Sequence, residues 1–201
     1  MTHDMVAQGP QMVGGPGVIV QIDECFFAGK RKYNVGRVRG IAEPWVLGII
    51  DTATKKVCMF QVPNRTRATL HGHIVRYVAP GSVIVTDCWA AYYTLDTIPG
   101  LNYTHETVNH TTNFVNPLTG FHTQEIEGFW SHAKAAWKAS RGYGETVRTA
   151  YLDEIQWRWN NRGTHTFQKL MQITANHDDY RVDNWPNVTP AELALKPPIV
   201  Y

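Results

Sequence analysis

The chain reads as an α/β domain on a mixed five-stranded sheet, three antiparallel strands followed by parallel additions, flanked by helices. Three observations predict this. Short β-branched apolar runs, VIVQI, WVLGII and SVIVT, are bounded like strands. A helical pattern stands between the third and fourth of the predicted strands, as a crossover requires. Two long helical stretches follow the last strand, the first of them amphipathic.

Taken in order, residues 1–17 end in Gly14-Gly15-Pro16-Gly17 and read as a flexible segment before the first strand, Val18 to Ile22. Trp45 to Ile50 and Lys56 to Val62 are the second and third strands, and the turn-like Asp51-Thr52-Ala53-Thr54-Lys55 between them predicts a hairpin. From Arg67 to Val78, Leu70, Ile74, Val75 and Val78 recur at helical spacing, and Pro80-Gly81 is expected to stop that helix. Ser82 to Thr86 returns to strand, parallel to an earlier one. If it lands beside the first, Asp23 and Asp87 become neighbours. Trp89 to Leu95 reads as a short helix, Asn102 to Val108 as a fifth strand, and 109–123 as a polar connection turning at Pro117. Helices are expected over Gln124 to Ser140 and Glu145 to Asn161, and the proline-bearing tail 184–201 as a short helix with an extended end. The expected division is a segment 1–17, a catalytic-sized domain 18–165 and an extension 166–201.

At 201 residues, 43% hydrophobic with 7 Trp, 9 Tyr and 7 Phe, the chain can bury a substantial core, which argues against disorder. Its formal net charge of +2 is too small for the whole surface to act as a polycation, so contacts to nucleic acid must come from local patches. The clearest is Lys30-Arg31-Lys32 with Arg37 and Arg39, which is either a solvated hairpin tip or a phosphate-binding segment. Cys25, Cys58 and Cys88 form no CxxC pair, so a zinc ribbon or disulfide framework is not expected; buried reduced thiols are. Neither a secretory leader nor a run of membrane-spanning length is evident, so an intracellular protein is expected, nuclear if eukaryotic and otherwise cytoplasmic.

The chemistry is carried by acids. Asp23 in VIVQIDE and Asp87 in SVIVTDCWAAY sit where apolar runs stop, so strands would deliver both carboxylates to the sheet edge. Glu127, in HTQEIEGFWSHAK, lies in a helical stretch. Such hard oxygen donors on a rigid frame suit Mg²⁺ and phosphodiester chemistry. Asp51 also ends a strand, but its place at a tight turn gives it a local task, accepting backbone N–H bonds. Ile126, Phe129, Trp130, Ala133 and Trp137 make one buried stripe, which Glu125 and Glu127 flank on opposite sides. Periodicity cannot choose between those two glutamates. Trp130 and Trp137 read as core, as aromatic residues at helical spacing usually are, and Trp157 and Trp159 could stack on bases or pack. His105 and His122 are candidates to support the ligands or orient a phosphate, with His110 nearby; isolated histidines more often satisfy local hydrogen bonds. No GxSxG elbow, phosphate-binding loop or dinucleotide fingerprint appears.

Together GGPGVIVQIDECFFAGKRKYNVGR, WVLGIID, PGSVIVTDCWAAY, HETVNHTTNFVNPLTGFHTQEIEGFW and YLDEIQWRWNNR resemble, in order from Gly14 to Arg162, the catalytic domain of Merlin-type DDE transposases, relatives of a group of bacterial insertion-sequence transposases. The resemblance implies a ribonuclease-H-like fold. It also implies that Asp23, Asp87 and Glu127 form the acidic triad, with Glu24 and Glu125 as neighbours rather than ligands. Two Mg²⁺ ions, replaceable by Mn²⁺, would be held there for cleavage and transfer of DNA strands. The implied partners are transposon ends, target DNA and further copies of the chain, with Lys30, Arg31, Lys32, Arg37 and Arg39 as DNA-contacting candidates on charge alone. Members usually carry an additional N-terminal DNA-binding region, for which residues 1–17 leave little room. A catalytically silent DNA- or protein-binding module and a ribonuclease-H-like nuclease are the alternative functions. The three carboxylates are expected to gather, and Asp51 and Glu125 to point elsewhere.

Overall fold

The computed structural model describes residues 12–27, 45–109, 120–139, 145–163 and 165–175. The basic run at Lys30, Arg31, Lys32, Arg37 and Arg39, together with His110, Pro117 and the tail, lies outside the described residues. The elements are β1 (Val13–Gly14), β2 (Ile19–Phe26), β3 (Trp45–Asp51), β4 (Val57–Val62), α1 (Arg67–Tyr77), β5 (Val78–Ala79), β6 (Val83–Thr86), β7 (Thr104–Thr107), α2 (Gln124–Ala139), α3 (Glu145–Asn160) and α4 (Thr166–Ala175).

The main sheet has the order β4-β3-β2-β6-β7. Tight connection makes β3 and β4 antiparallel, β2 also runs antiparallel to β3, and the crossover through α1 returns β6 parallel to β2. β7 then adds parallel to β6. This is the mixed sheet the sequence predicts and the ribonuclease-H-like order. Strand alternation sorts the apolar side chains onto two faces. Val20, Ile22, Leu47, Ile49 and Ile84 pack with Leu70 and Ile74 of α1 and with Tyr92. Val46, Ile50, Val57 and Met59 pack on the opposite face against Ile126, Phe129 and Trp130 of α2 and Leu152 and Ile155 of α3.

The glycine-rich segment departs from expectation, for residues 12–17 are built into the fold rather than flexible. β1 pairs in parallel with β5. The Gly14 N–H donates to Asp51 Oδ2 at 3.1 Å and the Gly15 N–H to Ser82 Oγ at 2.9 Å. Gly14 adopts φ +84°, and a Cβ there would stand 2.4 Å from Ser82 Oγ, so only glycine fits. The same pairing ends α1 at Tyr77, before Pro80-Gly81, because Val78 and Ala79 are claimed by β1. β2 likewise does not stop at Ile22. It continues to Phe26 because Cys25 and Phe26 pair with Val46 and Trp45. The stretch Trp89 to Leu95 holds single 3₁₀ turns, Ala90–Tyr92 and Leu95–Thr97, in place of one helix. α4 adds a helix within the expected extension.

Among the described residues, the outer edge of β4 is closed by side chains rather than by another strand. The Val57 N–H donates to Asn160 Oδ1 and Asn160 Nδ2 donates to the Val57 carbonyl, both at 2.8 Å, while the Met59 N–H donates to Gln156 Oε1. Two amides four residues apart on α3 thus face alternate groups of the strand, which satisfies buried backbone and blocks pairing with another chain. Asn160→Ala should orphan both Val57 groups and cost about 2–6 kcal/mol at roughly 1–3 kcal/mol for each. The midpoint of urea unfolding checks this; an unshifted midpoint would show that solvent replaces the clamp.

Candidate metal and nucleic-acid site

The parallel pairing of β2 with β6 places the two aspartates. Gln21 stands opposite Val85, so carrying the register two residues further sets Asp23 level with Asp87 on the neighbouring strand. Asp23 is interior to β2, not at its end, but β6 stops at Thr86, so the β6 side of β2 opens at this level. The sheet edge expected for the carboxylates is this divergence between two central strands.

Each aspartate is held by groups around it. Trp130 Nε1 of α2 donates to Asp23 Oδ2 at 3.0 Å. The indole reaches that far because Gly48 is the β3 partner of Asp23; a Cβ on Gly48 would lie 2.5 Å from Trp130 Cζ2 and 2.7 Å from Cη2. Asp87 Oδ1 accepts the Trp89 N–H at 2.9 Å. Just before it, the Thr86 hydroxyl donates to the Asp87 carbonyl at 2.7 Å and meets His105 Nε2 at 2.9 Å. The hydroxyl proton is spent on the carbonyl, so His105 Nε2 is the donor. Burial lowers the His105 pKa, favouring a neutral ring protonated at Nε2. His105 therefore braces the end of β6 from β7.

Glu24 points to the other face of β2, yet it belongs to the same electrostatic neighbourhood. Burial first, then the charges of Asp23 and Asp87, push its carboxyl up to about 7, with Tyr92 and Arg65 pulling the other way. Its Oε1 is buried without a hydrogen-bond partner among the described residues.

Glu127 is one turn before Trp130 on α2, and its Oε1 accepts the Thr123 hydroxyl at 2.9 Å. The helix start is fixed to β2 by Gln21, a buried amide whose Oε1 accepts the N–H groups of Glu125 and Ile126 at 3.0 and 3.1 Å. Gln21 Nε2 lies 3.4 Å from His122 Nδ1, so His122 supports the helix anchor. Alternation puts Gln21 and Asp23 on the same face of β2, and both grip α2. Among the described residues no three His, Cys, Asp or Glu side chains stand close enough together to hold an ion. The aspartates share a level and α2 is tied to one of them; Glu127 is not grouped with them.

The two decoys point elsewhere, as expected. Asp51 Oδ1 accepts the Ala53 and Thr54 N–H groups at 2.8 and 2.9 Å inside its hairpin. Glu125 pairs with Lys55 at 2.6 Å. Of the thiols, Cys25 and Cys58 are buried as expected, while Cys88, beside Asp87, is exposed. Gln21, Gly48 and the polar role of Trp130 escaped sequence reasoning. The signals were a lone amide inside VIVQID and a lone glycine inside WVLGIID, which marks close approach of another group.

The profile of the ISXO2-like transposase domain matches residues 12–160. The chain belongs to that family. An uncharacterized transposase-like protein of Haemophilus influenzae is 35% identical over 109 residues, which is 53% of this chain and 82% of that protein. Among solved structures, the BIV integrase catalytic core is similar with a TM-score of 0.46 at 15% identity, covering 77% of this chain and 93% of that one. The HTLV-2 integrase catalytic core, in a trimeric form with magnesium, gives 0.47 at 14% identity over 79% and 97%. The ISXO2-like match begins at Met12, where the described structure also begins, and so takes in the glycine lock as well as the acids. In this ISXO2-like domain no helix among the described residues is long and apolar enough to cross a membrane.

Proposed function

We propose that this transposase domain cleaves and joins DNA strands with divalent metal ions, Asp23, Asp87 and Glu127 holding two Mg²⁺, for which Mn²⁺ can substitute. The observation that carries the proposal is the β2–β6 register, which sets Asp23 and Asp87 side by side where the strands diverge. The donor chemistry fits. Hard carboxylate oxygens suit Mg²⁺, and the coupling of Glu24 to both aspartates marks a surplus of negative charge that a cation would relieve. Bound ions would activate the attacking water or 3′-hydroxyl and stabilise the leaving oxygen. The chain's own part is positional: the Trp130 indole orients Asp23 and the Trp89 backbone N–H orients Asp87, Gln21 sets the start of α2, and Gly48 leaves room for the indole. No side chain acts as nucleophile, so no covalent protein–DNA intermediate forms. DNA ends and target DNA are the substrates, acted on by more than one copy of the chain, and Lys30, Arg31, Lys32, Arg37 and Arg39 are the candidate phosphate contacts.

Incubating the protein with DNA carrying element ends, with Mg²⁺ or Mn²⁺ and with chelator, tests this. Joined products that vanish on chelation are expected. Nicking without joining would point to a nuclease, and DNA binding indifferent to metal, without cleavage, to a silent binding module.

A further inference from the structure

Beside the acids lies an aromatic groove that the cleavage chemistry leaves unused. It occupies about 460 Å³, within the roughly 300–1,000 Å³ of small-ligand sites, and is lined by Trp45, Pro63, Asn64, Arg65, Thr66 and Trp89. The Arg65 guanidinium is stacked between two indoles, 3.9 Å from the centroid of Trp45 and 4.6 Å from that of Trp89. Phe26, 41% exposed, extends the aromatic surface by an edge contact with Trp45.

The walls are set before any ligand arrives. Trp89 Nε1 donates to the Arg65 carbonyl at 3.2 Å, and Asn64 Oδ1 accepts the hydroxyls of Thr66 and Thr69 at 2.8 and 2.7 Å. Hydrogen bonds therefore hold the indole by its edge while Trp89 remains 41% exposed. None of the described residues accepts a hydrogen bond from the Arg65 guanidinium, so its donors can meet a phosphate.

We propose that this groove takes one unpaired nucleotide of a DNA strand, its base stacked on the exposed part of the Trp89 indole and its phosphate on the edge of the Arg65 guanidinium. The inference rests on the transposase reading above and names the substrate form that reading requires. The groove is tied to the acids directly, since the Trp89 N–H that fixes Asp87 belongs to the residue forming its wall. Bases within a duplex are stacked and paired, so a base reaching an indole here must have left the helix. An aromatic face with an adjoining cation favours such a base without reading its identity.

The test compares Trp89→Ala, Trp89→Phe and Arg65→Gln with the parent for binding of labelled oligo(dT) and of a blunt duplex, by fluorescence anisotropy. Trp89→Ala should weaken oligo(dT) binding about 5- to 100-fold, the contribution of one stacked base, and leave duplex binding within about twofold. Trp89→Phe should restore most of the loss. Arg65→Gln should also flatten the salt dependence of oligo(dT) binding by about one phosphate contact, and it serves alone should Trp89→Ala fail to fold. Parental oligo(dT) binding by these variants, in a protein that still joins DNA, would overturn the groove alone. A Trp89-dependent oligo(dT) interaction in a protein that neither cuts nor joins would keep the groove and remove the transposase reading.

Discussion

Changing Asp87 to Asn should abolish metal-dependent strand cleavage while leaving the metal-free domain at least as stable as the parent. The activity loss is expected on the order of 10³-fold, about 4 kcal/mol of transition-state stabilisation, because an amide is a poor ligand for a hard cation and the leaving charge loses its counter-ion. Stability should move the other way. Asp87 adds to the charge that drives the Glu24 carboxyl up to about 7, so neutralising it relieves repulsion in the cluster. The amide oxygen can still accept the Trp89 N–H, so the turn after β6 persists. Thermal melts with and without Mg²⁺ give a second readout. Added ion should raise the Tm of the parent and not that of Asp87→Asn, since only a state that binds the ion is stabilised by it. Asp51→Asn is the control. Its carboxylate serves backbone N–H groups, so that variant should lose stability and keep cleaving. Cleavage by Asp87→Asn at the parental rate would remove Asp87 from the site.

Gly48→Ala should be the most damaging single-methyl change in the sheet. A Cβ 2.5 Å from Trp130 Cζ2 and 3.0 Å from Ile126 Cδ1 has no room, with backbone on one side and a packed helix on the other. Overpacking of this kind costs about 1–3 kcal/mol, and rotating the indole away also breaks its bond to Asp23. Both unfolding free energy and cleavage should fall together, although Gly48 carries no functional group. Trp130→Phe separates the causes, because phenylalanine is shorter than the indole and has no N–H. In that background Gly48→Ala should cost less than in the parent, giving a coupling of about 1 kcal/mol or more in a double-mutant cycle. Simple additivity would show that the glycine is present for some other reason.

Much of the fold was legible because the hydrophobic pattern is local. The apolar runs at 19–22, 45–50, 57–62 and 83–86 fall within strands, and α2 and α3 begin at Gln124 and Glu145 as expected. The boundaries that moved did so through long-range pairing. β2 runs on to Phe26 because β3 pairs there, and α1 ends at Tyr77 because β1, about sixty residues earlier, claims Val78. Glycines at 14–17 read as flexible since positive φ and a close contact look alike in a sequence. The roles of Asp51 and Glu125 came out as expected, the first from turn chemistry and the second from the family resemblance once periodicity had left Glu125 and Glu127 tied.

By itself the sequence determined which segments alternate as strands, which form amphipathic helices, and which acids stand beside them, since each depends on neighbours within a few residues. Tertiary structure alone decided that Asp23 and Asp87 share a level, that Gly48 admits an indole to Asp23, that Gln21 grips the start of α2, and that Trp45, Arg65 and Trp89 make one surface. Those relations depend on strand register and helix docking. Both are set by the total burial of two core layers, a sum over distant residues that no local pattern contains.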